Sequence, residues 1–79
     1  KEESKMGHLE AKIELLTNQI NATLDLIEYY HAAEIVAQLN EEIDKAHEFF
    51  VNQLKLNDHL DNLYKQQEAI YKDLLIFYL

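Results

Sequence analysis

The sequence has no proline, no cysteine, no tryptophan and no arginine, and its one glycine, Gly7, lies near the start. Without cysteine there is no disulfide framework, no thiolate metal site and no nucleophilic thiol. That absence leaves the compartment open, with the cytoplasm favoured. Without proline, and with its glycine outside any candidate turn, the chain lacks the punctuation of a turn-rich β fold. There is no glycine-rich phosphate loop, and Ser4, the lone serine, has no histidine beside it to act as a base. A chain of 79 residues and 9.3 kDa is at most one small domain and is short for an enzyme with a buried pocket.

Long apolar runs are missing too. The longest, Leu74 to Leu79, is six residues, against roughly 20 for a membrane-spanning helix, so no span is expected within the chain. No segment shows the charged, apolar and small-residue succession of a signal peptide. The chain starts at Lys1 and stops on the apolar Leu79, so both ends read as cut points in something longer.

Positive charge is sparse. Seven scattered lysines stand against 15 acids, for a net charge of −8. Displacing counterions from a phosphate backbone needs a basic patch, so no nucleic-acid partner is expected. Residues 1–24 carry −1, residues 25–48 carry −6 and residues 49–79 carry −1. In the middle third Lys45 alone faces Asp25, Glu28, Glu34, Glu41, Glu42, Asp44 and Glu48. The plain reading of this belt is a solvated face. The sharper one is a docking surface for a basic partner, with Glu41, Glu42, Asp44 and Glu48 as its candidates.

What the chain does have is apolar periodicity. Leu9, Ile13, Leu16, Ile20, Thr23 or Leu24, Ile27 and Tyr30 alternate by four and three, a heptad helix with isoleucine at each a position. A second register follows, with Val36, Ile43, Phe50, Asn57, Tyr64, Tyr71 and Tyr78 at a and Leu39, Ala46, Gln53, Leu60, Gln67 and Leu74 at d. Its g positions Ile35, Phe49, Leu56, Leu63, Ile70 and Phe77 are apolar as well, with Glu42 the exception. An apolar face spanning g, a and d is wider than a two-stranded seam and calls for more than one neighbour.

Ile27 and Val36 are nine residues apart, an offset that carries the stripe to the far side of a continuous helix. A reversal near Tyr30 to Glu34 is therefore expected. Two other turns compete with it. Asn57-Asp58 combines a residue tolerant of the left-handed conformation with a helix cap. Asn40 followed by Glu41 and Glu42 reads as an N-cap with acids in the first turn, and cutting there makes a symmetric two-helix hairpin.

Chemistry-bearing patterns are few. Glu28 and His31, like Asp44 and His47, have the carboxylate-x-x-histidine spacing of di-iron bundles, and a turn at Asn40 would bring the two pairs level. His47-Glu48-Phe49 with Asn52 resembles the histidine box of sensor-kinase dimerisation and phosphotransfer helices, which implies His47 as a phosphoacceptor. The asparagine stands one residue from that pattern's spacing. Met6 to Glu14 is similar to the opening of leucine-zipper segments, as heptad composition alone produces. Asn21-Ala22-Thr23 has the form of a glycosylation acceptor but falls inside a helix. Tyr64, Tyr71 and Tyr78 are expected to pack in a core with hydroxyls at its rim.

These observations predict an all-α fold, a helical hairpin or three-helix bundle with coiled-coil-like packing, completed by self-association. The expected elements are a helix over about 8–31 and a long helix over about 35–78, with a break at 57–58 if three helices form. The leading function is a non-enzymatic association module, an oligomerisation, scaffold or adaptor element with a protein partner or a second copy and no cofactor, catalytic set or metal set. Its partner-binding face is read as Val36, Leu39, Ile43, Phe49, Phe50, Leu56, Leu60, Leu63, Tyr64 and Tyr71. The alternative is a small acidic inhibitor or regulator that docks on a basic site, as phage anti-defence proteins can. A phosphotransfer or metal-binding bundle comes third.

Overall fold

The computed structural model describes residues 2–78, which form an antiparallel hairpin of two helices, α1 (Glu2–Leu39) and α2 (Ile43–Tyr78). Helices of 38 and 36 residues at 1.5 Å per residue are about 57 and 54 Å long. The molecule measures 59 × 14 × 14 Å, so it is a nearly straight rod two helices thick.

The seam of α1 continues the heptad read from the sequence. Leu9, Leu16 and Ile20 are buried, Ile13, Ile27 and Tyr30 half-buried, and the same spacing runs on through Glu34 to buried Ala37. The reversal expected near residues 30–34 is therefore absent, as is a helix end at 31. That expectation treated Val36 and Leu39 as core, whereas both point outward and Leu39 is 78% exposed. Ala32 and Ala33 are strong helix formers, and no glycine or proline interrupts them. A polar residue, Glu34, occupies the seam position that a stripe search looks to fill with an apolar one.

On the second half of the chain the seam consists of Glu42, just ahead of α2, and Ala46, Phe49, Gln53, Leu56, Leu60, Leu63, Gln67, Ile70, Leu74 and Phe77 within it, all buried or half-buried. These are the g and d columns of the sequence register. Its a column, Ile43, Phe50, Asn57, Tyr64, Tyr71 and Tyr78, is exposed. Burying that column would place one amide and three phenol groups in a thin interface, where each needs a partner. The g column is aliphatic or phenylalanine beyond Glu42 and carries no such cost. Leu16, Ile20 and Leu63 form the packed centre, with Leu60 and Ile70 against it. Asn57 and Asp58 lie within an unbroken stretch of α2, so the expected alternative break is not there.

The turn falls at Asn40-Glu41-Glu42. Glu42 N–H donates to Ala37 O (2.8 Å) and Glu41 N–H to Gln38 O (3.1 Å), the pair of bonds that closes a helix through one left-handed residue. That residue is Glu41, at φ 59°, where glycine or asparagine is the usual occupant. Glu42 then caps α2, its carbonyl accepting from Ala46 N–H at 2.9 Å. Asn40 thus caps the C-terminal end of α1 rather than the start of α2, two residues before Glu42.

The hairpin buries little. Among the described residues the buried apolar side chains are Leu9, Leu16, Ile20, Ala37, Ala46 and Leu63, none of them completely enclosed, and the accessible surface is 6187 Å². A compact monomer of this mass exposes roughly 5,000 Å². The elongated shape accounts for part of this difference, and exposed large apolar side chains stand out on it, most of them in two columns.

Candidate interaction faces

Each helix carries a second apolar stripe outside the seam. On α1, Leu15, Ala22, Leu26, Tyr29, Ala33 and Val36 recur beside the core column at three- and four-residue spacing, with Gln19 filling the one gap of seven. On α2, Ile43, Phe50, Leu54, Tyr64, Tyr71, Leu75 and Tyr78 lie on a similar column, with His47, Asn57, Asp61 and Glu68 at its intervening positions. Leu15, Leu26, Tyr29 and Val36 on the first, and all seven of the second, are exposed large apolar side chains.

The two stripes emerge on opposite sides of the rod. The α1 stripe lies N-terminal-wise of its seam column around the helix and the α2 stripe C-terminal-wise, and in an antiparallel pair these directions point to opposite faces. Contacts mark both sides. Next to Leu15, a groove of about 410 Å³ is lined by Lys12, Leu16 and Gln19 from α1 and by Gln66, Ala69 and Ile70 from α2, none of them from the α2 stripe. On the other side of Leu16, Gln67 Nε2 donates to Thr17 Oγ1 at 3.3 Å.

Charge differs between the stripes. The α1 column includes Lys5 and Lys12 and no acid. The α2 column includes Asp61 and Glu68 and no lysine, each acid paired within its helix, to Lys65 at 3.2 Å and to Lys72 at 3.4 Å. Such exposed i,i+4 pairs are weak and exchangeable.

The ten residues expected to form one partner face are divided by the hairpin. Phe49, Leu56, Leu60 and Leu63 lie in the seam, covered by α1. Ile43, Phe50, Tyr64 and Tyr71 belong to the α2 stripe, Val36 to the opposite α1 stripe, and Leu39 to the tip. The α1 stripe is the part that sequence reasoning missed. The seven-residue recurrence of Leu15, Ala22, Tyr29 and Val36 was its signal, overlooked because the stronger isoleucine column runs beside it.

The acidic candidates gather at the tip. Glu41, Asp44 and Glu48 are exposed there, beside exposed Leu39 and Ile43. Glu42 is half-buried and held by Lys45 Nζ at 2.8 Å. The hydrogen bond and charge of Glu42, with a smaller contribution from Glu48, raise the Lys45 pKa above its ordinary value, opposed weakly by desolvation.

His47 is exposed, and His31 Nδ1 lies 3.9 Å from Glu34. Among the described residues no three histidine, aspartate or glutamate side chains gather at a point, so the Glu28–His31 and Asp44–His47 pairs remain separate. Thr23 is buried in the seam, its Oγ1 donating to Gln19 O at 2.8 Å, and residues 21–23 lie within α1 as expected. No described helix is long and apolar enough to cross a membrane. No protein family, curated protein or solved structure matches the chain.

Proposed function

We propose that the chain is a non-enzymatic helical association module whose working surfaces are the two stripes. The observation that supports this reading is the pair of exposed apolar columns on opposite faces of a hairpin whose own seam is thin. Exposed apolar area of this extent marks sites where further helices pack.

A photo-crosslinking residue placed at Tyr29 or Phe50, with Asn18 and Lys65 as controls, tests it in cells that make the protein. Adducts to protein from the stripe positions and not from the controls are expected. Equal adducts from all positions, or none, overturn the reading.

The acidic-regulator reading rests on a separate observation. The turn concentrates Glu41, Asp44 and Glu48 at one end of the rod around Leu39 and Ile43, which are 78% and 76% exposed. An apolar tip ringed by acid suits a basic pocket. Crosslinks from Leu39 to a basic protein, with none from Tyr29, would favour it over the lateral stripes.

A further inference from the structure

The stripes are related to each other as well as to the seam. Counted from the turn, Tyr29 is level with Leu54, Ala33 with Phe50, and Lys12 with Tyr71, one helical turn from Glu68. The α1 and α2 stripes therefore repeat the antiparallel register in which α1 and α2 already meet inside the chain.

We propose that the occupant of each stripe is the opposite stripe of a second copy, α1 of one molecule lying antiparallel to α2 of the next. This inference rests on the association reading above and names its partner. Near the tip, Leu26, Tyr29, Ala33 and Val36 meet Ile43, Phe50 and Leu54. Towards the open end, Lys12 comes beside Glu68 and Tyr71, and Lys5 beside Tyr78. Glu68 then has Lys12 in addition to its own Lys72.

Charge argues against the two symmetric alternatives. Pairing α1 stripes around a two-fold axis along the rod sets Lys5 and Lys12 against a second set of lysines, and around an axis across the rod it lays them on Val36 and Tyr29 of the other copy with no acid to meet. Pairing α2 stripes sets Asp61 against Asp61 about either axis, and Glu68 against Glu68 about the first. Like charges across an interface are unfavourable, whereas the mixed pairing joins a column holding only lysines with one holding only acids. The complementary surfaces lie on opposite faces, so the contact is head-to-tail and each added copy leaves one stripe of each kind free. A ribbon of hairpins that lengthens with concentration follows.

The test blocks one stripe at a time in the full chain. Tyr29→Asp disables the α1 stripe and Phe50→Asp the α2 stripe; both positions are substantially exposed, at 65% and 45%. In sedimentation velocity the wild type should grow in mass with concentration, and each variant alone should sediment as one chain. An equimolar mixture should form a 1:1 dimer and stop, because one open stripe of each kind remains to be matched.

Circular dichroism shows whether each variant keeps its helices. If one does not, Lys12→Glu and Glu68→Lys replace them, each expected to weaken self-association about tenfold, with the mixture associating more tightly than either alone. A Tyr29→Asp or Phe50→Asp protein that keeps its helices and still dimerises by itself, or a Lys12→Glu and Glu68→Lys mixture no tighter than either alone, reveals a different interface and overturns the proposal. A wild type that stays monomeric at millimolar concentration also overturns it, while stripe-specific crosslinks to a different protein would keep the association reading standing without it.

Discussion

Gln53 Nε2 donates to Glu34 Oε1 at 2.7 Å, across the seam and 19 residues apart in sequence. Gln53 also donates to the Phe49 carbonyl at 3.3 Å, and the Tyr30 ring packs tilted against that of Phe49, centroids 6.1 Å apart. One polar and one aromatic pair thus cross the same part of the hairpin. Losing one member of a part-buried polar pair strands the other, whereas replacing both with apolar groups removes the desolvation cost. Gln53→Leu alone should lower stability by about 1–2 kcal/mol, and Glu34→Leu with Gln53→Leu should match or exceed the wild type. Urea midpoints of the three proteins check this.

The turn is built from residues that suit it poorly. Glu41 at φ 59° bears the cost of a side chain in the left-handed region, and Glu42 is a weak N-cap. Glu41→Gly and Glu42→Asp should each stabilise the hairpin by about 0.5–1 kcal/mol. That corresponds to a thermal midpoint higher by several degrees, read by circular dichroism. Glu41→Val should do the opposite, because a β-branched residue tolerates positive φ least.

Leu63 and Tyr64 are neighbours with different surroundings. Leu63 is 3% exposed at the centre of the seam and Tyr64 lies on the outer stripe. Leu63→Ala should cost about 2–5 kcal/mol, enough to unfold so thin a hairpin. Tyr64→Ala should change monomer stability by less than about 0.5 kcal/mol and act on association instead. Denaturation at low micromolar concentration separates the two effects.

At the tip, changing Glu41, Asp44 and Glu48 to glutamine, asparagine and glutamine should leave helicity intact, at a cost of a few tenths of a kcal/mol from Asp44 at the start of α2. Glu42 stays in this variant because it is held by Lys45 and caps the helix. For a basic partner identified through Leu39, the change should slow association and flatten its salt dependence. An association rate indifferent to both eliminates the acidic-regulator reading.

The sequence by itself determined that the chain is helical and where the α1 seam begins, because periodicity over several turns is a local property that needs no partner to be legible. It also marked residues 35–78 as having more apolar surface than one contact uses. Which column of α2 turns inward was decided only when α1 came to lie against it. Leu56 and Leu63 on one flank, Phe50 and Tyr64 on the other, are comparably apolar along an isolated helix, and it is the polar atoms of the second flank that make it the worse seam. The turn at Asn40-Glu41-Glu42 was one of three the sequence offered, and the choice among them was decided in the same way. Glu41 carries no local signal for a left-handed backbone, and it adopts one because pairing α1 residues up to Ala37 with α2 residues from Ala46 onward leaves the chain only that short stretch in which to reverse.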